Sequence, residues 1–178
     1  SSFTNGVSVT SRRDASIDEV YSMPSGKAEQ YINRANEMVL SVTNGEDELE
    51  LYVRAYDDGA AYRYGYGADT RAVKETADIA FSSAALAAYC APYEKCYESL
   101  YTVSELGRLN GNYSMPLTVQ TSDDTYAMLF EADLNGSYCG SMITASGTNT
   151  LSLVWDEKQN EPVNISAPFL SPWRAVAV

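Results

Sequence analysis

The chain has 178 residues, enough for one domain with a real core, because a chain of this size removes roughly 70% of its unfolded surface from water. It carries 12 Lys and Arg against 24 Asp and Glu, giving a net charge of −12, and it contains no His. The acidity excludes nucleic acid and anionic membranes as expected partners. The lack of His excludes Ser-His-Asp and Cys-His catalysis as well as imidazole metal ligands.

The first half of the chain predicts antiparallel hairpins. Met38–Val42 and Glu48–Tyr56 flank Asn44-Gly45, a strong hairpin signal. In the second of these strands apolar residues alternate with polar ones, which indicates a strand with one buried face. Asp57-Asp58-Gly59 then predicts a tight turn, in which the glycine is expected to take positive φ. The chain returns as the strand Ala61–Tyr66.

The middle of the chain leaves alternatives open. Thr76–Phe81 and Ala87–Pro92 are predicted strands, although Ala84–Ala88 also fits a short helix. Val103–Leu109 is predicted to form one or two helical turns. Its candidate N-caps are Thr102 and Ser104.

The next hairpin contains the most apolar strand of the chain. Leu117–Thr121 and Tyr126–Ala132 flank the polar turn Ser122–Thr125. The second strand is apolar on both faces apart from Glu131, which predicts a central strand buried between two layers.

The last quarter continues the pattern. Ser141–Thr144 and Leu151–Trp155 are predicted strands, Pro162–Pro172 reads as irregular, and Trp173–Val178 is predicted to be a final strand. Many short strands separated by turn signals predict an all-β, antiparallel sandwich. No linker or repeat divides the sequence, so residues 1–178 are predicted to form a single domain.

Glu131 is the acidic residue that the pattern places inside the most apolar strand of the chain. A carboxylate inside so apolar a strand is costly unless it is paired or binds a metal. The residues alone favour an internal ion pair with Arg54, Arg63 or Arg174. Asp133, two residues further on, is more typical of a turn or cap than of a ligand.

The three cysteines do not match a zinc motif. They are Cys90, Cys96 and Cys139. We expect buried free thiols, because free Cys is among the most buried residue types. A Cys90–Cys96 bridge is the alternative.

Five short blocks of the sequence, taken in chain order, carry a resemblance to a known family. They are Arg54–Tyr64 (RAYDDGAAYRY), Tyr97–Tyr101 (YESLY), Met115–Val119 (MPLTV), Phe130–Leu134 (FEADL) and Ser171–Arg174 (SPWR). The chain closely resembles the N-terminal domain of glycoside hydrolase family 97 in these blocks. The resemblance runs from about residue 37 to the C-terminus, and more weakly over Phe3–Lys27.

The resemblance implies a β-super-sandwich similar to galactose mutarotase, here truncated at both ends. The family comprises α-glucosidases and α-galactosidases acting on oligosaccharides. Their catalytic acid and base lie in a (β/α)₈ barrel that follows this domain. No catalytic residue is therefore expected in this chain, which should be inactive alone. Secreted or periplasmic bacterial enzymes are typical of the family.

The resemblance also assigns roles to particular residues. Glu131, in the FEADL block, is expected to be a ligand of a Ca²⁺ shared with the barrel, and the isolated chain is expected to bind that ion weakly or not at all. Trp173, Arg174, Tyr97 and Glu98 are expected to lie at the interface with the barrel.

Two other interpretations remain open. One is a free-standing carbohydrate-binding sandwich, which predicts a solvated face rich in Tyr and Trp. The other is a structural sandwich without a ligand. A truncated domain should instead expose sheet edges, so we also expect self-association.

Tyr62, Tyr64 and Tyr66 share one face of their strand and are expected to be structural filling.

Overall fold

A computed structural model describes residues 2–82, 87–94, 96, 98–122, 124–156 and 161–178. Within these residues the regular structure is sixteen β-strands and one short 3-10 helix, and every strand pairing is antiparallel. The predicted all-β class is therefore confirmed.

The largest unit is a ten-stranded sheet in which β16, the last strand, lies centrally between β4 and β11. From one edge to the other its strands are β1 (Ser8–Ser22), β2 (Gln30–Thr43), β3 (Glu48–Tyr56), β4 (Gly59–Tyr66), β16 (Trp173–Ala177), β11 (Thr125–Ala132), β10 (Leu117–Ser122), β7 (Ala87–Cys90) and β8 (Thr102–Ser104), with β15 (Phe169–Leu170) paired to β4.

Two smaller sheets complete the fold. The four-stranded sheet runs in the order β6 (Thr76–Ala80), β13 (Thr150–Trp155), β12 (Ser141–Ser146) and β9 (Asn110–Tyr113). The two-stranded sheet pairs β14 (Val163–Ile165) with β5 (Thr70–Ala72). The 3-10 helix spans Leu106–Arg108, between β8 and β9.

The ten-stranded and four-stranded sheets pack face to face around the main core. Leu117 and Leu129 of the large sheet and Ile143 and Leu151 of the small sheet belong to one cluster and are fully buried. Two layers closed by alternating apolar side chains are the arrangement of a β-sandwich.

The hairpins predicted from the alternation are present. The turn between β2 and β3 contains Gly45 at φ 93°, a conformation that glycine adopts readily. Gly59, at the turn between β3 and β4, is not among the positive-φ residues, so the predicted reason for its presence is wrong. A Cβ there would lie 2.2 Å from the carbonyl oxygen of Val176, so glycine is needed because β16 approaches closely.

Burial of β11 differs from the prediction. Ala127 and Leu129 are buried, whereas Tyr126 and Met128 are exposed. The strand is central within the sheet, but among the described residues the four-stranded sheet covers only one of its faces. The prediction of burial on both faces is therefore wrong.

Several local predictions also change. The 3-10 helix has Glu105 at its N-cap and no side-chain cap, so neither Thr102 nor Ser104 caps it. The segment Pro162–Pro172, predicted to be irregular, contains β14 and β15. Ala87 and Ala88 lie in β7, which excludes a helix at those positions, while residues 83–86 of the alternative helix lie outside the described residues.

The three cysteines are free thiols. Cys90 is buried, as expected, but Cys139 is half-buried and Cys96 is exposed. The alternative of a Cys90–Cys96 bridge is therefore not what the structure shows.

Candidate functional site

The strand register places Glu131 directly opposite Arg174. The two residues are partners in the β11–β16 pairing, and their side chains project from the inner face of the large sheet. Glu131 Oε1 lies 2.5 Å from Arg174 Nη1, and the two side chains are only 7% and 1% exposed. Of the three arginines that the sequence offered to Glu131, the structure selects Arg174.

A second carboxylate holds the same guanidinium. Arg174 Nε and Nη2 each donate to a different carboxylate oxygen of Glu75, both at 3.1 Å. Glu75 immediately precedes β6 of the opposite sheet, so this fork connects the two layers of the sandwich. Arg174 Nη2 also lies 3.4 Å from the carbonyl oxygen of Cys139. We call Glu75, Arg174 and Glu131 the buried triad.

The triad holds two carboxylates and one guanidinium, a formal charge of −1 in the core. Burial lowers the pKa of Arg174, but the charges of Glu75 and Glu131 outweigh it, so the pKa lies above its ordinary value. Burial raises the pKa of Glu131, against the opposing effects of Arg174 and of the Ser141 amide. Removing one partner from a buried ion pair strongly destabilises the folded protein, because the remaining charge is left without compensation.

Glu131 also accepts hydrogen bonds from the main chain. The backbone amide of Ser141 donates to Oε1 at 2.9 Å and to Oε2 at 3.1 Å. A Cβ at the neighbouring Gly140 would lie 3.6 Å from Oε2, at ordinary van der Waals distance. Because a carboxylate has about four acceptor sites on its two oxygens, Oε2 could accept one more donor or cation besides the Ser141 amide.

The fit to calcium is limited to this one oxygen. Ca²⁺ takes six to eight oxygen ligands, and the described residues contain no group of three or more acidic, Cys or His side chains that could hold a metal. The nearest second carboxylate in the triad, Glu75, is occupied by Arg174. Glu131 can thus act as a single ligand in a site whose other ligands come from elsewhere.

Tyrosines surround the triad on the inner face. Burial raises the pKa of Tyr62, Tyr64 and Tyr138, and brings that of Tyr64 to about 12. The hydroxyl of Tyr66 lies 3.2 Å from that of Tyr138. Tyr66 and Tyr138 also pack against Phe169. The tyrosines of β4 are therefore half-buried and packed around the triad, as expected for side chains that fill the fold.

Trp173 lies on the opposite face of the large sheet, between two arginines. The guanidinium carbon of Arg63 is 4.2 Å from the centre of a Trp173 ring, and that of Arg54 is 4.6 Å away. Arg54 is paired with Glu37 at 2.7 Å, and Arg63 with Asp133 at 3.5 Å. Both arginines therefore make their contacts on the outer face of the large sheet. Glu131 lies on the inner face, so neither arginine reaches it.

The expected interface residues are found in different environments. Trp173 is half-buried and Glu98 is exposed, so both have side-chain surface that a partner could cover. Arg174 is 1% exposed and points into the core, which argues against a direct contact with a neighbouring domain. Tyr97 lies outside the described residues.

An exposed aromatic platform is not seen in the described part of the chain. Trp155 is 6% exposed, and Tyr62, Tyr64 and Tyr66 are half-buried. The large aromatic residues that are exposed are Tyr21, Tyr101 and Tyr126. The prediction made by the carbohydrate-binding interpretation, a solvated face rich in Tyr and Trp, is therefore not met.

Glu75 is the member of the triad that sequence reasoning missed. It lies in the polar stretch Val73–Asp78, where no apolar pattern marks it as buried. It meets Arg174 across 99 positions of sequence, a distance over which local patterns carry no information. Asp133 follows β11 directly, has a φ of 63°, and pairs with Arg63.

No helix in the described residues is long and apolar enough to cross a membrane.

Comparison with known proteins places the chain among glycoside hydrolases. It is 27% identical to a retaining alpha-galactosidase of Bacteroides thetaiotaomicron, over 97% of this chain and 30% of that protein. It is 29% identical to a probable retaining alpha-galactosidase of Streptomyces bingchenggensis, over 76% of this chain and 21% of that protein. The chain thus spans less than a third of the length of these relatives.

Solved structures share the fold. A glycoside hydrolase family 97 enzyme from Pseudoalteromonas sp. strain K8, in complex with acarbose, superposes with a TM-score of 0.84 at 18% identity, covering 98% of this chain and 28% of that one. A beta-arabinopyranosidase superposes with a TM-score of 0.82 at 19% identity, covering 97% and 32%.

The family model described as Glycosyl-hydrolase 97 N-terminal matches residues 1–178. The five sequence blocks, the antiparallel sandwich and this match agree, and the chain belongs to the N-terminal domain family of glycoside hydrolase family 97.

Proposed function

We propose that this chain is the accessory domain of an enzyme that hydrolyses α-galactosides, with α-glucosides as the alternative substrate class. It supports a catalytic (β/α)₈ barrel and contributes one carboxylate, Glu131, to a calcium site shared with that barrel. The observation that carries the proposal is the position of Glu131. A carboxylate that is only 7% exposed is paired with Arg174 and accepts the backbone amide of Ser141, which fixes its orientation inside the domain.

The buried triad gives a physical reason for this role. An isolated carboxylate in the core would take up a proton rather than remain charged. Arg174 counters that tendency while Glu75 occupies the other nitrogens of the guanidinium. The excess negative charge of the triad favours a cation at Glu131. When bound, the calcium would act as a Lewis acid and template near the leaving-group oxygen.

The substrate class is supported by the relatives. Both curated relatives are named alpha-galactosidases, and the chain covers the corresponding part of each. Glycoside cleavage needs two carboxyl groups placed across the scissile bond. In the described residues the two buried carboxylates, Glu75 and Glu131, are held by one guanidinium, an arrangement that does not place an acid and a base across a scissile bond. We therefore assign the catalytic pair to the barrel.

We extend the proposal to the setting of the enzyme. The neutral oligosaccharide substrate would meet the acidic surface of the domain without an electrostatic penalty. Secretion or export to the periplasm of a bacterium would fit an enzyme that degrades external glycans. Trp173 and Glu98 are the residues we expect to contact the barrel.

Hydrolysis of nitrophenyl α-galactoside and nitrophenyl α-glucoside tests the proposal. The 178-residue chain alone should release no nitrophenol above the buffer rate, whereas the full-length enzyme that contains it should hydrolyse the galactoside. Turnover by the chain alone would contradict the assignment of the catalytic pair to the barrel. A full-length enzyme that hydrolyses neither substrate would contradict the proposed substrate class.

A further inference from the structure

Glu75 fixes the orientation of the Arg174 guanidinium from the opposite sheet. Its two carboxylate oxygens accept one hydrogen bond each, from Nε and from Nη2 of Arg174, both at 3.1 Å. Two parallel hydrogen bonds of this kind cover one edge of the planar guanidinium and determine the plane in which the group lies. Arg174 therefore meets Glu131 in an orientation that Glu75 sets.

The fold holds Glu75 in this position. The next residue, Thr76, begins β6 and pairs with Val154 of β13 in the four-stranded sheet. The Glu75 side chain is 8% exposed, and within the described part of the chain Arg174 is the cation with which it forms an ion pair. The fork is thus anchored in one sheet, whereas Arg174 and Glu131 belong to the other.

The N–H groups of Arg174 are distributed so that a single nitrogen is left for Glu131. A guanidinium carries five N–H groups. Glu75 accepts one from Nε and one from Nη2, and the carbonyl oxygen of Cys139 accepts the second of Nη2 at 3.4 Å. The remaining two are both on Nη1, the nitrogen that contacts Glu131. Glu131 therefore cannot form the two-nitrogen fork that arginine commonly makes with a carboxylate.

The fork also sets the charge that a cation would meet at Glu131. Because Glu75 and Glu131 share one guanidinium, the buried triad keeps a formal charge of −1. Replacing Glu75 with Gln would remove this excess charge and would release Nε and Nη2 to bind Glu131. Both changes reduce the attraction of Glu131 for a cation, since its own counter-charge would then be fully available to it.

We propose that Glu75 is a positioning residue for the calcium site and acts through Arg174. By occupying one edge of the guanidinium, Glu75 prevents Arg174 from neutralising Glu131 and leaves that carboxylate able to bind the ion. Glu75 itself is not a ligand. This inference rests on the proposed function, because it concerns the calcium ion that Glu131 is proposed to bind.

The proposal is tested by measuring calcium affinity in full-length enzymes that carry Glu75→Gln, Glu131→Gln or Glu37→Gln. Glu75→Gln should weaken calcium binding at least about tenfold, because one unit of negative charge is lost close to the ion. The matched control is Glu37→Gln, which removes the same charge from a carboxylate that is 12% exposed and paired with Arg54 on the outer face. It should leave the affinity unchanged. Circular dichroism establishes that each variant is folded.

Replacing calcium with terbium separates this electrostatic role from a merely structural one. The interaction of the ion with the lost charge scales with the charge of the ion, so a tenfold loss for calcium corresponds to about a thirtyfold loss for trivalent terbium. A general loosening of the site by Glu75→Gln would weaken the binding of both ions by the same factor. Equal losses for the two ions would therefore overturn the proposal.

The Glu131→Gln enzyme distinguishes failure of this inference from failure of the proposed function. If Glu131→Gln weakens calcium binding and a folded Glu75→Gln enzyme does not, Glu75 is not a positioning residue and the role of Glu131 stands. If Glu131→Gln leaves calcium binding unaltered, the proposed function is contradicted and this inference falls with it.

If Glu75→Gln does not fold, NMR of the enzyme with ¹⁵N-labelled arginine decides the question. Because Glu75 holds Nε and Nη2, the two Nη nitrogens of Arg174 should give separate signals in the unmodified enzyme and also in Glu131→Gln. A single averaged signal in Glu131→Gln would show that Glu131 and not Glu75 holds the guanidinium, which would overturn the proposal.

Discussion

Arg174 is the residue on which the interior of this domain depends most. It is 1% exposed and lies between two carboxylates, Glu75 and Glu131. Because Arg174 is the counter-charge of both buried carboxylates, its removal would leave two uncompensated charges in the core.

We predict that Arg174→Met destabilises the domain by about 3–5 kcal/mol, because two buried carboxylates lose their counter-charge. For a domain of this size the midpoint of thermal unfolding should fall by roughly 10 °C. The control is Arg108→Met, at a side chain that is 81% exposed and paired with Glu105 at the surface; it should change the stability by less than about 0.5 kcal/mol. If the two variants had the same midpoint of thermal unfolding, the triad would not be important for the stability of the domain.

Glu50 gives the domain a predictable response to acid. Hydrogen bonds from Tyr52 and Arg13, each at 2.7 Å, lower the pKa of Glu50 below its ordinary value. The unfolded chain therefore binds more protons at this residue than the folded chain does. The stability that Glu50 contributes is present above its unfolded pKa of about 4.3 and is lost as the pH falls through the lower folded value.

The test is urea unfolding of Glu50→Gln from pH 6 to pH 3. The difference in unfolding free energy between the unmodified chain and this variant should shrink as the pH falls. Glu48→Gln, at an exposed position of the same strand, serves as the control and should show a smaller change. A difference for Glu50→Gln that stays constant with pH would contradict the assigned role.

At the scale of the element, β11 connects the core to the triad. Leu129 is fully buried against the four-stranded sheet, while Met128, its neighbour in the chain, is 37% exposed on the other face. We predict that Leu129→Ala costs about 2–5 kcal/mol, as expected for a large-to-small change in a packed core. Met128→Ala should cost less than about 1 kcal/mol, because the side chain is partly solvated.

Urea unfolding of the two variants measures how much more unfolding free energy is lost on the inner face of β11 than on its outer face. If Met128→Ala destabilised the domain as much as Leu129→Ala, the outer face of β11 would have to be covered in solution. That result would restore the sequence-based expectation of burial on both faces.

The elements that could be predicted are those with a one-sided apolar pattern and clear turns. β2, β3 and β4 follow from alternation around Asn44-Gly45 and Asp57-Asp58, and β10 and β11 from the polar turn between them. β1 could not be predicted in this way, because exposure of nearly all its residues leaves no alternation in the sequence. β1 is held by its pairing with β2 and buries neither face, so its own sequence carries no hydrophobic pattern that would predict a strand.

The site was predictable only in part. The apolar surroundings of Glu131 indicated an ion pair or a metal ligand, but the choice among three arginines depended on the sheet register. Arg174 stands opposite Glu131, whereas Arg54 and Arg63 point to the other face. Glu75 comes from the other sheet, and a contact between sheets is decided by tertiary packing.

At the scale of the whole molecule, the chain belongs to an N-terminal domain family, and in the function proposed above it completes a calcium site whose other ligands lie elsewhere. The family match covers the entire chain, yet the chain is under a third of the length of its relatives. Its interior holds two carboxylates, Glu75 and Glu131, on one guanidinium, and Glu131 also accepts the backbone amide of Ser141. The proposal therefore predicts that Glu131 binds calcium only when the remaining ligands surround it.

Calcium titration of the full-length enzyme by calorimetry tests this account most directly. Glu131→Gln should weaken calcium binding at least tenfold, since a neutral amide replaces a charged ligand. The control is Glu37→Gln, at another carboxylate that is 12% exposed and paired with an arginine, and it should leave the affinity unchanged. Unaltered calcium binding by a folded Glu131→Gln enzyme would contradict the account.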